Sequence, residues 1–462
     1  MSKISSPNTK HITKNRLRSQ DKPIHNWYRF VLGYPPHLVR EYLAKFEADP
    51  ERDWVFDPFS GTGTTPVEAR LLGYSSLATD ANPMTALATR VKLRWEIDLS
   101  EVRKRLNEVV GTAAQTLVEM KIGARPQMMQ PSLFADNLER IIAASNGHHK
   151  RVDALDLDQL LPPQTIKVIP KGFISDKPLA RVMALRCALE GLRAEQPDIY
   201  EFMALALANT IITDAGNVGF GPEVYRKRPA KKDADVLAAF VSTVEQMVTD
   251  LESVLCERSG PLPVAQSRRD DARVLVSLKN APPIDIVITS PPYPNEKDYT
   301  RSTRLESVLL GLIKDRQALR EVKNGLLRSN TRNVYVKDDD DRYIADIPSI
   351  IDVAERIEAR RLELGKTSGF ERLYHRVTRL YFGGMYRHLT ALFPRLRKGS
   401  RLAYVVGDQA SYFRIPIYTA QLLADVAIRA GYQVEGIELW RTRWSSATKQ
   451  NIDENVLILK RP

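Results

Sequence analysis

The chain has 462 residues and a mass of 52.3 kDa, with 68 Lys and Arg against 56 Asp and Glu, a formal charge of +12 and an isoelectric point near 9.5. Its 43% hydrophobic and 27% charged residues exclude wholesale disorder, a collagen-like repeat and a disulfide scaffold, and the positive excess asks for a polyanionic partner. No run of ~18 apolar residues and no signal-peptide core appear, so a cytoplasmic protein without membrane insertion is the expectation. Cys187 and Cys256 lie in helical-looking stretches and are expected to be reduced and semi-buried; with no His pair at ligand spacing, no metal site is expected.

In chain order, residues 1–22 hold six Lys and Arg against Asp21 and read as a mobile basic tail. An aromatic cluster follows, then an amphipathic run from His37 to Phe46 with Pro35 and Pro36 where a helix can start. WVFDPF reads as a strand, SGTGTTPVEARLLG as a Gly-rich turn and helix, and YSSLATD as a second strand ending in an acid, which together make a βαβ unit. A helix is expected from near Asn82. Residues 96–261 then form a mostly helical insertion, strongly periodic over 178–212 and 234–257, with a basic Gly/Pro loop between.

Alternation resumes with IDIVITS, a continuous apolar strand suited to a parallel sheet. Residues 301–372 are polar, carry the acidic run Asp338–Asp341, and read as a charged, solvated excursion. The last segment predicts helix 373–394, strand 401–408, helix 419–431 and a closing antiparallel hairpin. Residues 23–95, 262–300 and 373–462 therefore assemble into one α/β domain, a doubly wound sheet of about seven strands of the Rossmann-like type, with ligands at the C-terminal strand ends.

Two constellations fall at such ends. In Asp57-Pro58-Phe59-Ser60-Gly61-Thr62-Gly63-Thr64, the glycines permit a tight turn and close approach to a ligand, and Asp80 stands 17 residues after Gly63, where a carboxylate can accept both ribose hydroxyls. The missing third glycine and the absence of a phosphate-cradling Lys argue for a nucleoside without phosphates. In Ser290-Pro291-Pro292-Tyr293, two prolines stiffen the backbone after the apolar strand, hold carbonyls as acceptors and present Tyr293 as a rigid platform.

DPFSGTG, TSPPY and an acid at the second strand tip resemble the S-adenosylmethionine-dependent amino-methyltransferases of DNA; DDAR and WYRFVLGYPPHLV resemble two further motifs of that family. The likeness covers about half of the chain and implies a class I methyltransferase fold, S-adenosylmethionine as cofactor and double-stranded DNA as partner, with a cognate restriction endonuclease or defence-system subunit alongside. It assigns Asp57 to Thr64 and Asp80 to the cofactor, Asp271 (or Asp270) to the adenine amine, and Tyr34, with Trp27, to the methionine end. It makes Ser290 to Tyr293 catalytic: acceptors take the hydrogens of an exocyclic amine, and Tyr293 stacks on a flipped base. Neither cysteine has the Pro-Cys context that methylation at cytosine C5 uses, so that chemistry is excluded.

Within the family it resembles, Ser at the first position of the tetrapeptide is commoner in enzymes for cytosine N4 and Asp or Asn in those for adenine N6, so the resemblance implies cytosine N4 in preference to adenine N6. An RNA amino-methyltransferase and a catalytically silent nucleic-acid-binding protein are the alternatives. For DNA contact the expected residues are Asn217, Tyr225, Arg226, Lys227 and Arg228 with Lys231 and Lys232 in the first insertion, Arg328, Asn330, Arg332 and Asn333 in the second, and Tyr299 and Arg301 after the catalytic loop. Asp408, at another strand tip, is a further candidate for the cleft.

Overall fold

The computed structural model describes residues 17–28, 33–123, 161–221, 224–258, 260–295, 297–445 and 448–462. The tail reading falls largely on 1–16, outside the described residues. Where it is described it is anchored: Asp21 is buried and accepts from Arg40 Nη2 at 2.8 Å.

Proline at the first turn starts helix α1 (Pro36–Lys45). Strand β1 (Trp54–Asp57), helix α2 (Thr64–Leu71), strand β2 (Ser75–Asp80) and helix α3 (Pro83–Lys92) follow, the last capped by Asn82, whose Oδ1 accepts from Met84 N. The insertion supplies α4 (Leu99–Glu119), α5 (Asp176–Glu190), α6 (Pro197–Thr210) and α7 (Val236–Glu257). The basic loop expected between α6 and α7 contains a two-stranded ribbon, β3 (Val218–Phe220) with β4 (Val224–Arg226). Strands β5 (Ala265–Arg269) and β6 (Ile284–Thr289) return to the main sheet. Helices α8 (Arg316–Asn324), α9 (Pro348–Glu363) and α10 (Tyr374–Leu392), strand β7 (Leu396–Gly407), helix α11 (Thr419–Arg429) and strands β8 (Gln433–Ser445) and β9 (Gln450–Lys460) complete the order.

The main sheet has seven strands in the order β5-β2-β1-β6-β7-β9-β8, parallel except for β9, which runs antiparallel between β7 and β8. This is the class I methyltransferase arrangement. Strand alternation sends Val55, Ile286, Ile288 and Val405 to a core under α1 and α2, and Phe56, Val287, Leu402 and Tyr404 to a core under α9, α10 and α11. The chain turns to opposite sides of β1 to make β2 and β6, so the switch point, where ligands lodge in such sheets, lies between β1 and β6.

The helical insertion shares one continuous core with α3: Met84, Leu87 and Val91 pack with Leu185, Leu205 and Val244. Trp27 belongs to this core, its ring 5.5 Å from that of Phe202 and its Nε1 donating to Asp250 Oδ2, so it stands away from the cleft. Cys187 is half-buried, whereas Cys256 is exposed. Among the described residues no helix is long and apolar enough to cross a membrane.

Residues 301–372 depart from the expected solvated excursion. Ile344, Ile350, Val353 and Ile357 pack under the sheet against α10, and Asp340 of the acidic run is buried between Arg273 and Arg387. Buried ion partners drawn from other segments make this tolerable. The contact is close: a Cβ on Gly383 of α10 would collide with the Asp340 backbone carbonyl. Gly383→Ala should therefore cost about 1–3 kcal/mol in urea unfolding, while Gly436→Ala in β8, where a Cβ meets nothing, should stay within about 0.5 kcal/mol of wild type.

The N-terminal segment before α1 meets the segment after β6 at a second buried carboxyl. Glu306 accepts from the Tyr28 hydroxyl at 2.5 Å, and burial lifts it from the ordinary 4.5 to about 7. A raised folded value means that the protonated acid stabilises the fold below the ordinary value, a contribution lost as pH rises through 7. Glu306→Gln should flatten that loss: between about pH 5 and 8, unfolding free energies should shift in the variant's favour by on the order of 2 kcal/mol.

Candidate active site

The C-terminal ends of β1, β2, β5 and β6 open into one cleft of about 300 Å³. Pro58, Phe59, Ser60, Gly61, Thr62 and Thr64 line it from the first constellation, Asp80 and Asp271 from the next two strand ends, and Ser290, Pro291, Pro292 and Tyr293 from the end of β6. Tyr34 and Tyr299 are also in its wall.

β1 ends where Pro58 removes an N–H donor. Gly61 and Gly63 take φ of 53° and 88°, left-handed values that suit glycine, and a Cβ on Gly61 would meet nothing within 4 Å, which leaves open room beside the turn. Asp57 and Gly63 do not line the cleft. Asp57 is fully buried behind it, accepting from the Thr289 hydroxyl at 2.6 Å, the Tyr34 hydroxyl at 2.7 Å and Phe59 N at 3.0 Å. Burial lifts its carboxyl to about 6. The residue therefore joins β1, β6 and the Tyr34 segment and positions the loop. Tyr34 in turn shares its hydroxyl with Thr65, which donates to the Ile288 carbonyl at 2.9 Å.

The Asp80 carboxylate accepts from Gly61 N, Asn82 N and the Thr85 hydroxyl, each at 2.9 Å. Three of roughly four lone-pair positions are thus taken, leaving about one for a ligand hydroxyl where two were expected. Burial raises this carboxyl above its usual value. Of the two adjacent acids, Asp271 faces the cleft, whereas Asp270 accepts from Ser277 N at 2.6 Å. Asp271 is not a lone acceptor: Arg273 holds it from Nη2 at 2.7 Å and reaches Asp340 from Nη1 at 2.9 Å.

A buried histidine that the sequence reading missed sets this wall. His388 Nδ1 lies 2.8 Å from the Ala272 carbonyl and Nε2 lies 2.7 Å from the Tyr404 hydroxyl, while the Phe59 ring meets the imidazole edge-on at 4.9 Å. A carbonyl only accepts, so Nδ1 carries the proton and Nε2 accepts from Tyr404. Burial depresses the imidazole to about 4 and keeps it neutral.

On the opposite side the Ser290 hydroxyl donates to the Val405 carbonyl at 3.0 Å. Its one hydrogen is thereby occupied, so toward any further partner, the neighbouring Tyr293 phenol included, its oxygen can only accept. The Tyr293 ring packs over Gly407, where a Cβ would come within 2.9 Å of it. Burial and then the Glu454 charge hold the Tyr293 phenol above its usual range; burial pushes Tyr299 up to about 12. Tyr293 N points to the Tyr299 hydroxyl at 3.4 Å. The β8–β9 hairpin closes this side with Trp440, Arg441, Arg443 and Glu454, none of which the motifs indicated. Glu454 accepts from Arg441 Nε at 2.5 Å.

The DNA-contact candidates separate. Tyr225, Arg226, Lys227 and Arg228 are exposed on the β3–β4 ribbon and its exit, and Arg332 is exposed with its guanidinium over Phe370. Arg301 is half-buried. Asn217 is buried and structural, donating to Ser175 Oγ and accepting from Lys231 N, so it does not present an edge to DNA. Arg328 is likewise buried, with both Nε and Nη2 on Asp338 at 2.9 Å, and is withdrawn from phosphate contact. Asn330 and Asn333 are buried too. Asp408 lies outside the cleft lining and accepts from Thr419 N at the start of α11.

No family model matches the chain. Over 347 residues, 68% of its length, it is 25% identical to the Type II methyltransferase M.BsoBI of Geobacillus stearothermophilus, and this stretch spans 58% of that protein. It is 30% identical over 170 residues to the Type II methyltransferase M.AvaI of Anabaena variabilis, covering 36% of the chain and 34% of the relative. With the Type II methyltransferase M.MvaI of Kocuria varians it shares 22% over 332 residues, 68% of the chain and 64% of the relative. The chain is similar to Type II methyltransferases in sequence and has a methyltransferase fold.

In that fold the Gly61 turn after β1, with Asp80 at the end of β2 bound to it, and the loop bearing Ser290 line one cleft. A nucleoside held by the first would place its far end at the second. Asp80→Asn, which keeps the loop contacts through Oδ1 but puts an amide before the Gly61 N–H, should weaken S-adenosylhomocysteine binding by about 10- to 100-fold in calorimetry and lower unfolding stability by about 1–3 kcal/mol.

Proposed function

We propose that the chain is an S-adenosylmethionine-dependent DNA methyltransferase acting on an exocyclic amine, cytosine N4 in preference to adenine N6, of a base flipped out of the duplex. The observation that carries the reading is Ser290, whose hydroxyl hydrogen is engaged by Val405 and which lines the same cleft as Asp80 and the Gly61 turn. Such an amine is a poor nucleophile because its lone pair is delocalised into the ring. Ser290 Oγ and the Pro291 carbonyl would take its two hydrogens, favour a pyramidal nitrogen and aim the lone pair across the cleft.

The open space beside Gly61 and the free acceptor position on Asp80 fit an adenosyl group, with Tyr34 toward its far end. When bound, the cofactor supplies an electrophilic methyl on sulfur. Tyr293, stiffened by Pro291 and Pro292 and backed by Gly407, offers its face to a flipped base. Neutral Tyr293 and Tyr299 keep this end of the cleft free of anionic phenolates at physiological pH.

The exposed Tyr225–Arg228 ribbon suits phosphate contact, salt-dependent and indifferent to sequence. Double-stranded DNA is the proposed partner, and the similarity to Type II methyltransferases favours a companion restriction endonuclease. Incubation with methyl-labelled cofactor and mixed duplex DNA, followed by digestion to nucleosides, should place label in N4-methylcytosine; label in N6-methyladenine alone would reverse the choice of base, and label in neither would defeat the proposal. Ser290→Ala and Tyr293→Ala should each lower turnover by at least about 100-fold while S-adenosylhomocysteine affinity stays within about threefold.

A further inference from the structure

The polar run Arg328–Asn333 reads as a surface segment in the sequence, yet the fold turns most of it inward: Ser329 and Asn333 are 1% exposed and Asn330 is 0%. Arg328 is engaged by Asp338, and Asn330 Nδ2 donates to the Lys297 carbonyl at 3.0 Å, which ties the run to the chain leaving the Ser290–Tyr293 loop. Asn333 has no such role. It lies in the cleft wall, and neither its Oδ1 nor its Nδ2 meets a hydrogen-bond partner within the protein. A buried amide with donor and acceptor both unmet is destabilising, and native proteins keep few of them. An occupant of the cleft that supplies both partners would relieve it.

We propose that Asn333 reads the edge of a heterocycle in the cleft, its Nδ2 donating to a ring nitrogen while its Oδ1 accepts from the adjacent exocyclic amine. A side-chain amide carries donor and acceptor side by side, which matches the amine-and-ring-nitrogen edge of an aminopurine or aminopyrimidine. The inference rests on the reading of the cleft given above, because that reading supplies a ligand with this edge and a free amine hydrogen, the adenine of the cofactor; the two hydrogens of the target amine go to Ser290 and the Pro291 carbonyl. An ordered water would meet the same two atoms without selecting a ligand.

Asn333→Leu removes both polar ends while keeping the branched shape at a larger volume, and Asn333→Ala removes them without bulk. Since no protein partner is lost, the ligand-free variants should melt no lower than wild type. If the edge belongs to the cofactor, S-adenosylhomocysteine affinity should fall at least about tenfold and its stabilisation of the fold should shrink in step. An affinity that holds while kcat/KM for duplex methylation drops at least about tenfold would assign the amide to the target base and overturn the proposal. Both quantities within about threefold of wild type would leave the amide to water and overturn the proposal. So would a fall in the ligand-free melting temperature of both variants, which would make the amide structural. Absence of label transfer by the wild-type protein would defeat the methyltransferase reading, yet the binding comparison would still judge Asn333.

Discussion

The two central strands of the sheet end on one buried carboxylate. Because β1 and β6 are parallel neighbours, their C-terminal ends lie side by side, and the loops that leave them must share the space above. Asp57 sets how they share it, taking a hydroxyl from Thr289 on β6, one from Tyr34 before α1 and the Phe59 N–H of its own loop. Burial is tolerated because three donors meet the carboxyl and because its affinity for a proton rises to about 6. A ligand on the Gly61 turn and a group beside Ser290 can face each other only while this junction holds.

The rest of the cleft is built from segments far from that junction in the chain. Arg273 binds Asp271 beside the cleft and Asp340 in the second insertion, and Arg387 of α10 closes the chain of charges on Asp340. His388, one position further along α10, holds Ala272 and abuts Phe59. One helix thus positions two of the cleft's walls. The β8–β9 hairpin supplies a third, with Glu454 held between Arg441 and Arg443 beside Tyr293. The second insertion is therefore part of the scaffold of the site as well as its neighbour.

Much of the fold was legible because local signals and burial agree. Apolar strands, the glycines at positive φ, the Asn82 cap and the Pro-Pro turn each need only neighbouring residues to be understood, and the strand ends they mark converge as the alternation predicts. Polar residues were read less well. Asn217, Arg328 and the Asp338–Asp341 run look like solvated surface in the sequence; in the fold Asn217 is pinned by Ser175 and Lys231, while Arg328 and Asp340 are enclosed with opposite charges. A charge run is solvated only by default, and a partner from another segment cancels the default without leaving a local trace. His388 and Trp440 gave no signal for the same reason, since each matters through what lies opposite.

The sequence by itself determined that this chain builds a seven-stranded α/β sheet and that a Gly-rich nucleoside loop and a Pro-stiffened acceptor loop leave its central strands, because those properties follow from periodicity and backbone chemistry within a few residues. Tertiary structure alone decided which of the marked residues touch the cleft: it set Asp57 and Gly63 behind the wall, chose Asp271 over Asp270, and brought Asn333, Trp440 and Glu454 into it. Facing a cavity is a property of two surfaces at once, and the second surface is contributed by chain far away in the sequence.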